Sequence, residues 1–191
     1  RSSAASDVYK RQDVLNIYDY SCKMHVPVLV IGGGTNLLVG DLGIRGIVMK
    51  VGKGLDEILW EGDSVIVGGG VALSKFVSES VERNLAGLQY CYGIPGTVGG
   101  AVAMNAGTSA MYISRCVVEV GYILPSGEKM TLTHEKMGFD YRSSVVLRSG
   151  GLIEWVRFQL KPADPEALKA NIEKIRAYRQ RKQPWGYPNA G

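Results

Sequence analysis

Cysteine is scarce in this sequence, and no long apolar run occurs. The three cysteines, Cys22, Cys91 and Cys116, are widely spaced and odd in number, which indicates neither a disulfide framework nor a CxxC metal site. No apolar stretch approaches the roughly 20 residues of a membrane helix, and the first twelve residues lack the apolar centre of a signal peptide. The net charge of +4 is modest, and the basic residues before the last helix are scattered among acids, unlike a nucleic-acid-binding stripe. We therefore expect a cytoplasmic protein with no metal site, no membrane insertion and no nucleic-acid partner, whose ligand is a small anion.

Glycine, in contrast, is abundant, with 25 of 191 residues, so much of the backbone must turn tightly or approach a neighbour closely. Residues 1–12 are small, polar and aperiodic, and we interpret them as a disordered or non-native lead-in. Hydrophobic periodicity then predicts helices at 13–24 and 72–84, a helix that Asp164 caps and Pro165 opens, and strands at 26–31, 46–51, 64–67, 116–124, 129–132 and 152–160. In the last helix, Leu168, Ile172 and Ile175 form one apolar stripe.

The first segment that carries chemistry is GGGTNLL, residues 32–38, which directly follows a buried strand and is called the first glycine segment below. Its glycines leave backbone N–H groups free to converge on an anion, and Thr35 and Asn36 add side-chain donors. The GxGxxG spacing with a following helix is absent, so this is not the Rossmann fingerprint. Taken alone, the segment is equally compatible with a tight turn.

The second glycine segment is GIPGTVGGAVAMNAG, residues 93–107. It has almost no charge and small side chains, and we expect it to form no ordinary helix or strand, yet it is too apolar for an exposed loop. A flat ligand could pack against such a backbone. The alternative is a buried crossing of two chain segments, at which glycine only relieves crowding.

Two further features contain arginine. In YRSS, residues 141–144, Arg142 lies between an aromatic side chain and two hydroxyls and could offer a bidentate fork to a carboxylate, although a surface arginine is the simpler interpretation. Near the end of the last helix, four basic residues could clamp a diphosphate or could merely suit a helix C-terminus; they are Arg176, Arg179, Arg181 and Lys182.

Together and in this order, these segments resemble the bacterial UDP-N-acetylenolpyruvoylglucosamine reductase family. The resemblance rests on PVLVIGGGTNLLVGDLGIRGIV, GLQYCYGIPGTVGGAVAMNAG, FDYRSSV and RQRKQPWGYPNAG, and it spans residues 13–191. It implies an α+β chain with the FAD-binding PCMH-type fold of two α/β lobes. The expected divisions are lobe 1 at 13–86, lobe 2 at 87–162 and, at 163–191, the start of a C-terminal substrate domain that is mostly missing.

The resemblance also implies the chemistry, which is reduction of UDP-N-acetylglucosamine enolpyruvate to UDP-N-acetylmuramate for peptidoglycan synthesis, with noncovalent FAD as cofactor and NADPH as hydride donor. Arg142 would stabilise charge that develops on the substrate carboxylate. Tyr141 would position Arg142 or the substrate, and Lys182 would meet a substrate phosphate. The implied cofactor contacts are Ile31, Gly32, Gly33, Gly34, Thr35, Asn36 and Leu37 in the first segment and Gly93, Ile94, Pro95, Gly96, Thr97, Gly99, Gly100, Ala103, Asn105 and Gly107 in the second.

The sequence departs from the family pattern in several places. Thr35 replaces a more usual serine, and residues 108–112 differ from the usual pattern after the second segment. The family's catalytic serine and late glutamate have no counterpart, so we expect this chain to be unable to turn over. Two alternatives to the reductase remain at this point: a related FAD-dependent oxidase, and a non-catalytic FAD- or nucleotide-binding module.

Overall fold

The computed structural model describes residues 4–8, 11–108 and 111–182. The helices in these ranges are α1 (Arg11–Met24), α2 (Leu73–Glu82), α3 (Val98–Ala103), α4 (Val145–Ser149) and α5 (Pro165–Lys182). The strands are β1 (Ala4–Val8), β2 (Val28–Ile31), β3 (Ile47–Val51), β4 (Ile58–Glu61), β5 (Ser64–Gly68), β6 (Leu85–Ala86), β7 (Gly107–Thr108), β8 (Met111–Tyr112), β9 (Val117–Ile123), β10 (Lys129–Thr133), β11 (Leu152–Gln159) and β12 (Lys161–Pro162). No helix in this part of the chain is long and apolar enough to cross a membrane.

The first sheet is small and parallel, with strand order β1-β3-β2. Helix α1 connects β1 to β2, and it buries Val14 and Tyr18 against Met49 and Val51 of β3. The connection from β2 to β3, residues 32–46, contains no helix. Parallel neighbours need a crossover of about a dozen residues or more, and here the first glycine segment lies within that crossover.

The expectation that residues 1–12 lie outside the fold is wrong for Ala4–Val8, which pairs in parallel with β3 in the register Ala4↔Ile47 to Val8↔Val51. Helix α1 also begins at Arg11, before the predicted start. Composition was misleading because an edge strand is held by backbone hydrogen bonds, which a small polar sequence makes as readily as an apolar one.

The second sheet has five antiparallel strands in the order β10-β9-β11-β5-β4. Its core is formed by alternate residues of these strands packed against α2 and α3; for example, the rings of Phe76 and Phe158 lie 4.9 Å apart. Since β5 pairs with β11, the predicted lobe boundary between residues 86 and 87 does not follow the sheets. The chain enters the second sheet at β4, a strand that the periodicity did not indicate.

The remaining predicted strands and helices are present, with their ends shifted by a few residues. Helix α5 begins as expected, because Asp164 Oδ1 accepts from the Ala167 amide at 2.8 Å and Pro165 is its first residue. Leu168 and Ile172 are buried, and Ile175 is half-buried, so the predicted stripe is confirmed.

Candidate functional site

The two glycine segments lie against each other. A Cβ on Gly32 would overlap the Thr97 hydroxyl, and a Cβ on Gly33 would lie 3.1 Å from the Gly96 Cα. Thr35 Oγ1 completes the contact by donating to the Pro95 carbonyl at 3.3 Å. Glycine at these two positions therefore lets the first segment lie close to the Thr97 side chain and to the Gly96 backbone.

Backbone donors are available in the first segment. Residues 33–36 are exposed, and among the described residues no loop or turn hydrogen bond uses the amides of Gly33, Gly34 or Thr35. Gly34 has φ +69° and open space where a Cβ would be, a backbone conformation that glycine adopts without strain. Such a run of free N–H groups fits an anionic ligand.

The second segment contains helix α3, contrary to the expectation of no ordinary helix. Thr97 is the N-cap, and its hydroxyl accepts from the Gly100 amide at 3.3 Å. Gly99 lies against Gly69, the residue that directly follows β5. The Gly99 amide donates to the Gly69 carbonyl at 2.9 Å, and a Cβ on Gly99 would lie 2.9 Å from the same oxygen. A helix with this close backbone approach can use only glycine at that position, so contact with the sheet overrides glycine's poor helix propensity.

A cleft of about 150 Å³ opens between β2 and helices α3 and α4. Three of its lining residues are apolar side chains of β2, and four come from the second segment: Thr97, Gly99, Gly100 and Ala103. The rest of the lining comprises Gly32, Val51, Gly69, Val146, Leu147, Gly150, Gly151 and Ile153. Of this group, sequence reasoning identified only Gly32. The glycine triplet at 68–70 and the pair at 150–151 are a signal of close backbone approach that could have indicated the lining contributed by Gly69, Gly150 and Gly151.

Arg142 lies at the tip of a tight turn beside the second segment. The backbones of Asp140 and Ser143 exchange hydrogen bonds of 3.1 and 3.2 Å, so Tyr141 and Arg142 form the bend. Arg142 has φ +53°, a left-handed conformation that costs a non-glycine residue energy and is concentrated at functional sites. Tyr141 is 72% exposed, and the Arg142 guanidinium lies 5.7 Å from the centre of its ring.

Three hydrogen bonds attach this turn and the following Ser144 to the last residue of α3 and to the residues that follow it. Asn105 Nδ2 donates to the Asp140 carbonyl (3.0 Å), Arg142 Nη2 donates to the Gly107 carbonyl (3.2 Å), and Ser144 Oγ donates to the Ala103 carbonyl (2.7 Å). Ser144 is fully buried and also caps α4. The YRSS motif and the second segment thus form one unit, which the sequence alone did not indicate.

Asn105, for which the family resemblance implies a cofactor contact, is hydrogen-bonded to the protein main chain in this structure. It is buried, and besides its bond to Asp140 its Oδ1 accepts from the Ser114 amide at 3.3 Å. Both polar ends of the side chain are engaged with the main chain, so in this structure Asn105 supports the scaffold.

The other predicted residues lie around the two segments. Ile31 ends β2, Leu37 is exposed, and Asn36 Nδ2 lies 4.0 Å from the sulfur of Met104. The basic residues of α5 diverge: Arg176 pairs with Glu173, Arg181 bonds within the helix, and Arg179 donates to the Gly93 carbonyl at 2.9 Å. Lys182 is exposed at the end of α5. The predicted motif RQRKQPWGYPNAG continues beyond the described residues.

Residues 7–133 match the family described as FAD binding domain. The chain belongs to this family. The FAD-binding domain is 39% identical to UDP-N-acetylenolpyruvoylglucosamine reductase of Halalkalibacterium halodurans, over 92% of this chain and 57% of the relative. It is 41% identical to the enzyme of the same name from Bacillus subtilis, over 93% of this chain and 59% of the relative.

Solved structures agree with these relatives. The domain superposes on the crystal structure of the Thermus caldophilus reductase with a TM-score of 0.83 at 29% identity, covering 99% of this chain and 66% of that one. It shares its fold alone with 6-hydroxy-D-nicotine oxidase from Arthrobacter nicotinovorans (TM-score 0.63, 18% identity, 85% of this chain and 38% of that one). The resemblance to the reductase family and the α+β, PCMH-type FAD-binding fold are confirmed. The chain spans less than two thirds of the length of these relatives.

Proposed function

We propose that this domain binds FAD noncovalently at the two glycine segments and the adjoining cleft, as part of an NADPH-dependent UDP-N-acetylenolpyruvoylglucosamine reductase. The observation that carries the proposal is the contact of the two segments, with Arg142 bonded to Gly107 of the second segment and Ser144, directly after the Arg142 turn, bonded to Ala103 of the helix that lines the cleft. The names of the relatives support the choice of reaction.

The residues present fit FAD in two respects. The exposed amides of Gly33, Gly34 and Thr35 suit a diphosphate, and the glycine-lined, apolar cleft suits a flat ring system. Noncovalent binding is proposed because neither histidine, His25 or His134, belongs to the residues that line the cleft.

Bound FAD would supply the hydride chemistry, taking a hydride from NADPH and delivering it to the enolpyruvyl double bond. The residues of this chain would act on the substrate. Arg142, fixed through Gly107, would hold the carboxylate and stabilise the charge that builds up on it as the double bond is reduced. The exposed Tyr141 ring would orient the substrate beside Arg142, and Lys182 would meet a phosphate.

We also propose that the reaction takes place in the cytoplasm and serves peptidoglycan synthesis. The proposed substrates, NADPH and a nucleotide sugar, are both cytoplasmic metabolites, and the product named for the family is a peptidoglycan precursor.

The direct test is to purify the protein, release any bound cofactor by denaturation and measure its flavin absorbance, then add FAD to the stripped protein. We expect saturable FAD binding and bleaching of the flavin colour on anaerobic addition of NADPH. Colourless protein that cannot take up FAD contradicts the cofactor assignment. Protein that binds FAD but is never bleached supports a non-catalytic FAD-binding module and contradicts the reductase assignment.

A further inference from the structure

One arginine of α5 leaves its helix to bond a loop far away in sequence. Arg179 Nη2 donates to the Gly93 carbonyl at 2.9 Å, across 86 positions of sequence. Gly93 has φ +74°, and a Cβ there would lie 3.0 Å from Arg179 Nε. Any side chain at position 93 would therefore push against the Arg179 guanidinium, and glycine avoids this contact.

The bend from Gly93 to Gly96 depends on partners outside itself. Gly93 and Gly96 both have positive φ (+74° and +116°), and Pro95 has no N–H to donate. Three outside donors hold the bend: Thr35 donates to the Pro95 carbonyl, the Leu73 amide donates to the Gly96 carbonyl at 3.0 Å, and Arg179 donates to the Gly93 carbonyl. Arg179 is the charged donor among the three, and hydrogen bonds from charged donors are stronger than neutral ones.

The neighbouring basic residues make no such contact. Arg176 pairs with Glu173 three residues earlier, and Arg181 donates to the Ala177 carbonyl, so both bond within α5. Placement at a helix C-terminus accounts for those two residues. It does not account for Arg179, whose side chain reaches the second glycine segment.

We propose that Arg179 is a positioning residue that fixes the Gly93 carbonyl and thereby sets the second glycine segment relative to α5. This inference rests on the proposed FAD site, and it assigns Arg179 to the loop rather than to a diphosphate. Because Lys182 lies three residues further along the same helix face, Arg179 also sets the distance between the proposed substrate lysine and the FAD loop.

The experiment compares FAD dissociation constants, measured by quenching of flavin fluorescence, for the wild type, Arg179→Met, Arg179→Lys and Lys174→Met. Lys174 is an exposed basic residue of the same helix and controls for lost charge. We expect Arg179→Met to weaken FAD binding about tenfold, the value of one charge-assisted hydrogen bond, Arg179→Lys to recover part of it, and Lys174→Met to stay within about twofold. Gly93→Ala should weaken binding less in the Arg179→Met background than in the wild type, since its clash with the guanidinium is then absent.

A readout without FAD keeps this inference separate from the proposed function. In the cofactor-free protein, the Ile94 amide, which donates to the Cys91 carbonyl at 3.0 Å, should exchange with solvent faster in Arg179→Met than in Lys174→Met. Equal exchange, or equal FAD affinity in these two variants, overturns the role of Arg179. If the wild type binds no FAD but the two variants still differ in amide exchange, the FAD assignment is overturned and the role of Arg179 in holding the loop is retained.

Discussion

Replacing Asn105 by alanine tests the attachment of the Arg142 turn to the part of the second glycine segment that follows α3. Asn105 has φ +45°, and its side chain donates to the Asp140 carbonyl and accepts from the buried Ser114 amide. The Asp140 carbonyl keeps a second partner, the Ser143 amide at 3.2 Å, so the variant removes one ordinary hydrogen bond there, worth about 1 kcal/mol. The Ser114 amide loses its side-chain partner in a buried setting, which costs about 1–3 kcal/mol more.

Alanine in the left-handed region adds a backbone cost of roughly 1 kcal/mol, and Asn84→Ala measures that cost separately. Asn84 has φ +56° but is exposed, and the hydrogen bonds described for it use only its main chain. In urea unfolding, Asn105→Ala should therefore lose about 2–4 kcal/mol more than Asn84→Ala. Equal losses in the two variants would refute a scaffold role for the Asn105 side chain.

Three further predictions concern the site and the thiols. The free energy of unfolding of Arg142→Gly should exceed that of Arg142→Ala by about 1 kcal/mol, because glycine relieves φ +53°; an alanine variant of equal stability would contradict strain at this turn. Gly32→Ala should lower the free energy of unfolding by about 1 kcal/mol, because the new Cβ displaces Thr97, the N-cap of α3, and it should also weaken FAD binding. Gly40→Ala is the control, since a Cβ there has open space, and it should leave both quantities unchanged; thermal melts and FAD titrations measure them. Burial raises the pKa of the Cys91 thiol to about 12, so iodoacetamide at pH 8 should label the exposed Cys22 and spare Cys91, as read by mass spectrometry. Since this folded pKa lies above the unfolded value of about 8.5, the stability contribution of Cys91 is complete below pH ~8.5 and is lost as pH rises toward 12; a Cys91→Ala variant with unchanged alkaline unfolding would contradict this.

Elements with strong periodicity could be predicted from the sequence, and their partners could not. Helix α5 was identifiable from its cap, its proline and its apolar stripe, all of which are local. The pairing of β5 with β11 joins residues 87 to 95 positions apart, from Trp155↔Gly68 to Gln159↔Ser64, and nothing in either strand specifies the other. For the same reason Ala4–Val8, whose sequence carries no apolar pattern, was placed outside the fold.

The candidate site shows the same division. Glycine density indicated that backbones approach closely, but it did not show that Gly32 meets Thr97 or that Gly99 meets Gly69. Helix α3 was missed because its propensity is poor and its contact with the sheet stabilises it. The family resemblance implies a cofactor contact for Asn105, which stays a prediction; the sequence did not show its bond to the distant Asp140 carbonyl, because no local feature of a polar residue indicates such a partner.

The helix-free connection between β2 and β3 has a consequence for changes in chain length. In many parallel pairs the crossover lies away from the ligand and can gain or lose residues without affecting function. Here residues 32–46 both join the two strands and carry the first glycine segment. An insertion there would alter strand pairing and the proposed cofactor contact at once. The same insertion at residues 62–63, the exposed tip of the β4–β5 hairpin, lies outside both glycine segments and puts at risk the single bond from the Leu160 amide to the Asp63 carbonyl, so insertions should be tolerated better at that tip than in the crossover.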